Sequence, residues 1–239
     1  MKQSVFLFLA SIVMGGHAYT QTSERFFDKA DAFFKTHVRG GRVDYRTIKA
    51  DGAELNELLQ MADDLRIPHH NVAEFQAFWI NAYNLSAIKG IVENYPVKSP
   101  LDIEGFFDKR KYAIGGKDIS LDEIENRLLR GFFPDEPRFH FVLVCAGLGC
   151  PPIIAEAYRP DQLDEQLERQ TKKAINDPLF VRVGKNRVKV SQIFEWYGED
   201  FTKNGPLSDF INAYRLEKIP DDAKIGYYAY DWSLNEWKP

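Results

Sequence analysis

Cysteine is scarce in this sequence. Two occur among 239 residues, Cys145 and Cys150, five positions apart. A disulfide-dense scaffold and a four-cysteine zinc site are therefore excluded. The sequence also lacks an excess of positive charge, with 31 Lys and Arg residues against 35 Asp and Glu and a net charge of −4. This balance argues against nucleic acid as a partner, because a nucleic-acid footprint is basic.

Long apolar runs are missing beyond the first residues, so we expect neither a membrane-spanning helix nor a stable membrane anchor. The remaining composition is that of a globular protein, with 44% hydrophobic and 28% charged residues. A chain of this size buries a core without metal or disulfide cross-links. No linker rich in Pro, Gly or Ser divides it, so a single globular domain is predicted.

The first residues are typical of a secretory signal peptide. Lys2 precedes an apolar run of about ten residues, and Gly16 and Ala18 stand where small residues precede a cleavage site. We predict a signal peptide over 1–18 and one globular domain over 19–239. The mature protein is then expected in the periplasm or outside the cell, where both cysteines meet an oxidising environment.

Helical patterns dominate the first half of the chain. Apolar residues recur at helical spacing over 23–38 and 52–65. The longest apolar pattern, from Val72 to about Tyr95, is apolar nearly all round and predicts a buried central helix. A hairpin is predicted over 111–119, where two glycines separate two short apolar segments.

The second half alternates short strands and helices. A capping box at Ser120 and Glu123 predicts a helix to about Arg130, and the apolar segment Phe139–Cys145 predicts a buried strand. Further predicted elements are a helix over 160–176, a hairpin over 179–190, a short helix over 191–197 and a strand over 225–232. These patterns predict an α+β fold: one mixed domain with a long buried central helix, β-hairpins and a small antiparallel sheet.

The residues best suited to catalysis lie close together in the sequence. His140 is near the start of the predicted strand, Cys145 is at its end, and Cys150 follows a glycine-rich turn. A thiol among free backbone N–H groups tends to ionise easily, and a nearby imidazole would complete a Cys–His nucleophile. His140 and Cys145 fall on opposite faces of an ideal strand, because they are five positions apart, so Cys150 is the favoured nucleophile.

Other groups could assist this pair. The turn amides, including that of Gly149, are candidates for an oxyanion hole. Glu125 is a candidate to orient the imidazole. Asn81 and Asn84, three positions apart on one face of the predicted central helix, are candidate orienting or oxyanion amides.

Structural interpretations compete at each position. Cys145 and Cys150 also suit a disulfide that closes a small loop, His140 suits a hydrogen-bonded core histidine, and the two asparagines suit backbone braces. The spacing of the cysteines and His140 matches no standard zinc site, so no metal or cofactor is predicted. The sequence contains no Walker-A, G-x-G-x-x-G, H-E-x-x-H or G-x-S-x-G motif, which leaves nucleotide-binding, zincin and α/β-hydrolase functions without motif support.

Seven strings of the sequence together resemble the bacterial branch of the family called domain of unknown function 547. They follow one another in order: Gly41–Tyr45, Phe78–Asn84, Tyr95–Ser99, Ser120–Glu125, Arg138–Pro152, Ile193–Phe201 and Tyr230–Asn235. The most specific are F-W-I-N-x-Y-N and H-F-x-L-x-C-x-x-x-x-C-P. The resemblance implies a family core over about 70–200.

The resemblance carries over positions rather than an activity, because the family's name records no function. The matching positions are Asn81, Asn84, Glu125, His140, Cys145 and Cys150. Plant members have serine where this chain has Cys150, and bacterial members commonly have histidine where it has Asn126. Both departures bear on whether a catalytic role is general to the family.

Two functions from different classes remain. The first is a Cys–His thiol hydrolase or acyltransferase of the papain or transglutaminase kind, acting on an amide bond of a peptide, a peptidoglycan stem or a γ-glutamyl compound. The alternative is a non-catalytic periplasmic binding module with a Cys145–Cys150 disulfide. Thiol–disulfide exchange fits less well, because the four-residue gap differs from C-x-x-C. In each case the expected partner is a small molecule or a peptide.

Overall fold

The computed structural model describes residues 22–184, 187–220 and 223–239, so the predicted signal peptide lies outside the described residues. The α-helices are α1 (22–37), α2 (Tyr45–Ala50), α3 (Ala53–Asp64), α4 (Val72–Asn94), α5 (Arg130–Phe132), α6 (Leu163–Asn176), α7 (Ile193–Trp196), α8 (Gly198–Thr202) and α9 (Leu207–Tyr214). The strands are β1 (Val38–Arg39), β2 (Arg42–Val43), β3 (Tyr112–Ile114), β4 (Lys117–Ile119), β5 (Val181–Val183), β6 (Arg187–Ser191) and β7 (Lys224–Tyr228). The α+β prediction is confirmed.

Helix α4 is the buried centre of the molecule, as the all-round apolar pattern predicts. Its side chains are buried from Phe75 to Ile88 without interruption. Tyr95 leaves the helix in an extended conformation, and Pro96 follows it, since proline cannot continue a helix. Helices α2 and α3 and a π-helix over Glu123–Leu129 pack around α4, so its residues can support elements on several sides.

Three small sheets are present among the described residues. Strands β3 and β4 form the predicted hairpin, and its two turn glycines have φ angles of +64° and +71°, which suit residues without a side chain. Strands β5 and β6 form the second predicted hairpin. Strand β7 pairs parallel to β6, so this sheet is mixed rather than antiparallel. Strands β6 and β7 can pair in parallel because helices α7, α8 and α9 connect them. This long connection brings the chain back to the end of the sheet at which β6 begins.

The predicted strand over Phe139–Cys145 is wrong. Pro137–Phe141 forms a 3₁₀-helix, which Pro137 opens and the Glu136 side chain caps by accepting from the Arg138 N–H. The β-branched and aromatic residues are buried because the core surrounds them on several sides, not because they lie in a sheet. No periodicity distinguishes these two forms of burial in so short a segment.

The helix predicted after the capping box forms, but most of it is a π-helix rather than an α-helix. The Ser120 Oγ accepts from the Glu123 N–H at 3.2 Å, and Glu123 Oε2 accepts from the Ser120 N–H at 3.0 Å, as the box predicts. Beyond it, Glu123–Leu129 is a π-helix that leads into α5. Such wide turns are frequent at functional sites. Here the π-helix carries Glu125.

Candidate functional site

A cavity of about 270 Å³ lies between the π-helix, the 3₁₀-helix, the cysteine loop, helix α7 and the segment after β7. Its wall includes Glu125, His140, Cys145 and Cys150, four of the residues that the sequence predicts for the site. They come from three separate parts of the chain. The fold therefore brings the predicted acid, imidazole and thiols to one place.

His140 is held by a carboxylate on each side of its ring. Its side chain is 2% exposed; Nε2 lies 2.8 Å from Asp200 Oδ2, and Nδ1 lies 3.8 Å from Glu125 Oε1. An ionised carboxylate only accepts hydrogen bonds, so Nε2 carries the hydrogen toward Asp200. In the neutral ring, Nδ1 is then the basic nitrogen, on the side of Glu125.

Asp200 is the anchor of this arrangement. Besides His140, it accepts from Arg130 Nε at 2.7 Å and from Arg130 Nη2 at 3.0 Å, a two-point contact. Burial acts to raise the pKa of Asp200, but the hydrogen bonds from His140 and Arg130 outweigh it and hold this pKa well below its usual range. Asp200 is therefore a fixed negative charge against the ring.

Tyr197 covers the imidazole. Its ring stacks on that of His140 with centroids 4.0 Å apart, and the Arg130 guanidinium lies 4.9 Å from the Tyr197 centroid. Burial and the charge of Glu125 raise the pKa of the Tyr197 hydroxyl. The hydroxyl is therefore a neutral group beside Glu125, and the stack fixes the plane of the imidazole.

The two cysteines are joined in a disulfide, and Tyr230 contacts both sulfurs. The Tyr230 hydroxyl lies 2.9 Å from Cys150 Sγ and 3.0 Å from Cys145 Sγ. The backbone N–H of Cys145 also points at Cys150 Sγ, with nitrogen and sulfur 2.9 Å apart. Burial raises the pKa of Tyr230 well above its usual range, so its hydroxyl remains a hydrogen donor. Two donors thus converge on Cys150 Sγ.

The turn amides that the sequence predicts for an oxyanion hole are already bonded. The Leu148 N–H donates to the Ser233 carbonyl at 2.8 Å, and the Gly149 N–H donates to the Asp231 carbonyl at 2.7 Å. Gly149 lies behind the cavity wall, where a Cβ would come within 2.8 Å of the Tyr230 ring. The geometry therefore gives Gly149 a packing role, because its N–H is used within the fold.

Asn81 and Asn84 lie in the core rather than in the cavity wall. Asn84 Nδ2 donates to the Val142 carbonyl at 3.0 Å, and its Oδ1 accepts from the Val144 N–H at 2.8 Å. Asn81 clamps Tyr158 in the same two-point way, at 2.8 and 3.0 Å. Each amide makes the pair of bonds that a neighbouring strand would otherwise make. This is the bracing alternative that the sequence left open.

Asp200 and Tyr230 are members of the site that the sequence patterns do not indicate, and so are two tryptophans. Trp196 is 47% exposed and lines the cavity with Trp232. A signal for all of them was present, since they lie in the strings Ile193–Phe201 and Tyr230–Asn235 that resemble the family. They stand 50 or more positions from His140, and a single sequence carries no indication of such long-range contacts.

A family model described as "Protein of unknown function, DUF547" matches residues 69–175. The chain belongs to this family. The DUF547 match contains Glu125, His140 and both cysteines, whereas Asp200 and Tyr230 lie beyond its end. No curated protein and no solved structure matches the chain.

Over 22–184, 187–220 and 223–239, none of the helices combines the length and hydrophobicity that a membrane span requires. Over the same ranges, no three His, Cys, Asp or Glu side chains are grouped so that they could hold a metal ion. The DUF547 site contains an imidazole, two carboxylates beside it and a pair of bonded sulfurs.

Proposed function

We propose that this protein is an exported Cys–His thiol hydrolase or acyltransferase that acts on an amide bond. The observation that carries the proposal is the Asp200–His140 pair, with Oδ2 and Nε2 2.8 Å apart. The His140 ring lies in the wall of the same cavity as both cysteines, and Asp200 holds it from behind that wall. A carboxylate that orients an imidazole beside a nucleophile is the recurring arrangement of acyl-transfer enzymes.

Cys150 is the nucleophile in this proposal. The bond between Cys145 and Cys150 must first be reduced by a dithiol, whose two thiols are oxidised to a disulfide as the protein gains two thiols. Once free, a Cys150 thiolate would lie against the Tyr230 hydroxyl and the Cys145 N–H, the two donors that already contact its sulfur. Both contacts favour the charged form of the thiol.

The chemistry follows in two balanced steps. His140 Nδ1 takes the thiol proton, Cys150 Sγ bonds to the amide carbon, and the carbon–nitrogen bond breaks as the leaving amine takes that proton. Water, or an acceptor amine, then attacks the thioester carbon while His140 takes its proton. The carbon–sulfur bond breaks, the acid or the new amide leaves, and the proton passes to Cys150 Sγ to restore the thiol. The Tyr230 hydroxyl and the Cys145 N–H contact the sulfur in the structure. As the sulfur loses its charge to the new carbon–sulfur bond, these two groups would donate to the oxyanion instead, in place of the turn amides.

The substrate classes are those that suit an exported amide hydrolase: peptides, peptidoglycan stems and γ-glutamyl compounds. Export itself rests on the sequence pattern of residues 1–18. N-terminal sequencing of the protein recovered from the periplasm or culture medium tests it, and cleavage after Ala18 predicts Tyr19 as the first residue.

Comparison of cysteine variants tests the catalytic proposal. Turnover of a library of chromogenic amides is measured with and without dithiothreitol. We expect activity of the natural chain only with the reductant, and activity of Cys145→Ser without it, because this variant leaves Cys150 unpaired. Cys150→Ser and His140→Ala should each lower activity at least about 100-fold. Inactivity of both reduced natural protein and Cys145→Ser, or full activity of Cys150→Ser, would overturn the proposal.

A second candidate is a non-catalytic periplasmic binding module. The disulfide itself favours it, together with the carboxylate on each side of His140. In that function the Cys145–Cys150 bond holds the cavity wall in place, and ligand affinity should fall on reduction. Ligand binding by oxidised protein with no turnover under any redox condition would select this candidate over the first.

A further inference from the structure

The cavity wall contains several aromatic rings in addition to the imidazole and the two sulfurs. Aromatic rings form a continuous lining on one side, with Tyr230 and Trp232 centroids 4.7 Å apart, Trp196 and Tyr230 5.0 Å apart, and Phe107 and Trp232 5.9 Å apart. Tyr197 extends the lining toward His140. Ring faces carry partial negative charge and attract cations.

Two carboxylates reinforce that charge. Glu125 is inside the cavity with a side chain 12% exposed, and Asp122 is an exposed lining residue three positions earlier. Neither lysine nor arginine occurs among the described residues that line the cavity. The nearby guanidinium of Arg130 is bound at two points by Asp200, so its charge is already matched. The two carboxylates give the lining a net negative charge in either protonation state of His140.

We propose that the cavity recognises its ligand through a cationic nitrogen, a protonated amine or a quaternary ammonium. The rings would surround the cation while Glu125 and Asp122 supply the opposite charge. An anionic ligand would meet like charge, and a neutral apolar ligand would leave two carboxylates without a counter-charge. This inference rests on the proposed function in so far as the cavity is the substrate site, and it specifies an amide with a cationic group near the bond that is cleaved.

Binding of a cation and of its neutral isostere tests this inference. Oxidised protein of the full predicted mature chain is titrated in a calorimeter with choline and, separately, with 3,3-dimethylbutan-1-ol, which has the same shape without the charge. We expect choline to bind at least about tenfold more tightly than the alcohol. Equal affinity, or no binding of choline at millimolar concentration, would overturn the inference.

Charge variants locate the interaction. Asp122→Asn and Glu125→Gln should each weaken choline binding, Glu125→Gln by about tenfold, and leave the affinity for the alcohol unchanged. Glu195→Gln is the matched control, because Glu195 is exposed and adjoins Trp196 but does not line the cavity. Thermal unfolding followed by circular dichroism checks that the variants are folded. If Glu125→Gln does not fold, Asp122→Asn still tests the inference, because Asp122 is exposed.

The outcomes separate this inference from the catalytic proposal. Choline binding by the oxidised protein needs no free thiol, so selective binding without amide turnover would uphold cation recognition and reject the hydrolase. Equal turnover of neutral and cationic amides, with no selective choline binding, would uphold the hydrolase and reject cation recognition.

Discussion

At the scale of the residue, the site depends on polar side chains whose partners are fixed by burial. Asp200, Asn81 and Asn84 each make two or more hydrogen bonds at short distances. Removing one partner leaves the others buried without a hydrogen bond, which costs more free energy than the bond itself contributes. These positions therefore give the clearest mutational tests.

Asp200→Asn should lower the free energy of unfolding at neutral pH by about 2 kcal/mol, because Arg130 and His140 lose an ionised partner. The pKa of Asp200 is lower in the folded than in the unfolded chain, so its stabilisation is present above the ordinary Asp pKa and is lost as the pH falls toward the folded value. The difference between variant and natural chain should therefore shrink in acid.

Urea unfolding at neutral and at acidic pH measures this difference. The exposed neighbour provides the control, since Glu199→Gln should change stability by less than about 0.5 kcal/mol at either pH. A difference that grows as the pH falls would show that Asp200 is not an ionised partner of His140 and Arg130.

Asn84→Ala should destabilise the protein by about 2 to 4 kcal/mol, because the Val142 carbonyl and the Val144 N–H both lose their partner. Asn94→Ala is a suitable comparison, since the Asn94 amide bonds only to the Gly90 carbonyl of its own helix, and its cost should stay below about 1 kcal/mol. Chemical denaturation of both variants measures the two costs. Similar values for the two would contradict the clamp.

At the scale of the element, sequence patterns predicted secondary structure well where neighbouring residues alone determine it. The all-round apolar pattern of α4, the glycine pair of the β3–β4 hairpin and the capping box at Ser120 are all sufficient locally. Phe139–Cys145 was not predictable, because its conformation depends on Asn84, which is more than 50 positions away. Glu125, His140, Cys145 and Cys150 could be named from sequence. Asp200 also lies in a family string, but nothing in the sequence pairs it with His140, 60 positions away.

The cysteine loop illustrates how one element positions another. Gly149 lies so close to Tyr230 that any Cβ would meet the ring at 2.8 Å. Gly149→Ala should therefore displace the ring and destabilise the protein by about 1 to 3 kcal/mol. Gly198→Ala is the matched change, because no atom lies within 4 Å of its added Cβ, and it should be neutral or slightly stabilising. Thermal unfolding compares the two, and equal effects would contradict the close approach.

At the scale of the whole molecule, the segment that follows β7 connects parts that are distant in sequence. The Asn235 N–H donates to the Ala146 carbonyl, and the Asn235 carbonyl accepts from the Val43 N–H. The Trp237 N–H donates to the Val43 carbonyl, and the Leu234 N–H to the Lys98 carbonyl. The same segment carries two rings of the cavity wall. Structure and site therefore depend on it together.

Truncation separates this segment from the residues beyond it. A chain ending at Ala229 loses all these bonds and should fail to unfold cooperatively. A chain ending at Trp237 loses only Lys238 and Pro239, both exposed, and should keep the melting temperature within a few degrees. Circular dichroism melts of both chains measure the difference. A cooperative melt of the shorter chain near the natural temperature would contradict this dependence.

The position of this segment near the end of the sequence also determines when the site can form. During synthesis the ribosome releases Glu125, His140 and the cysteines long before Tyr230 and Trp232. A growing chain therefore exposes its two thiols without the hydroxyl that contacts them and without half of its ring lining. The cavity closes only when the segment after β7 has emerged, so a partly made chain holds the reactive residues but not the finished site.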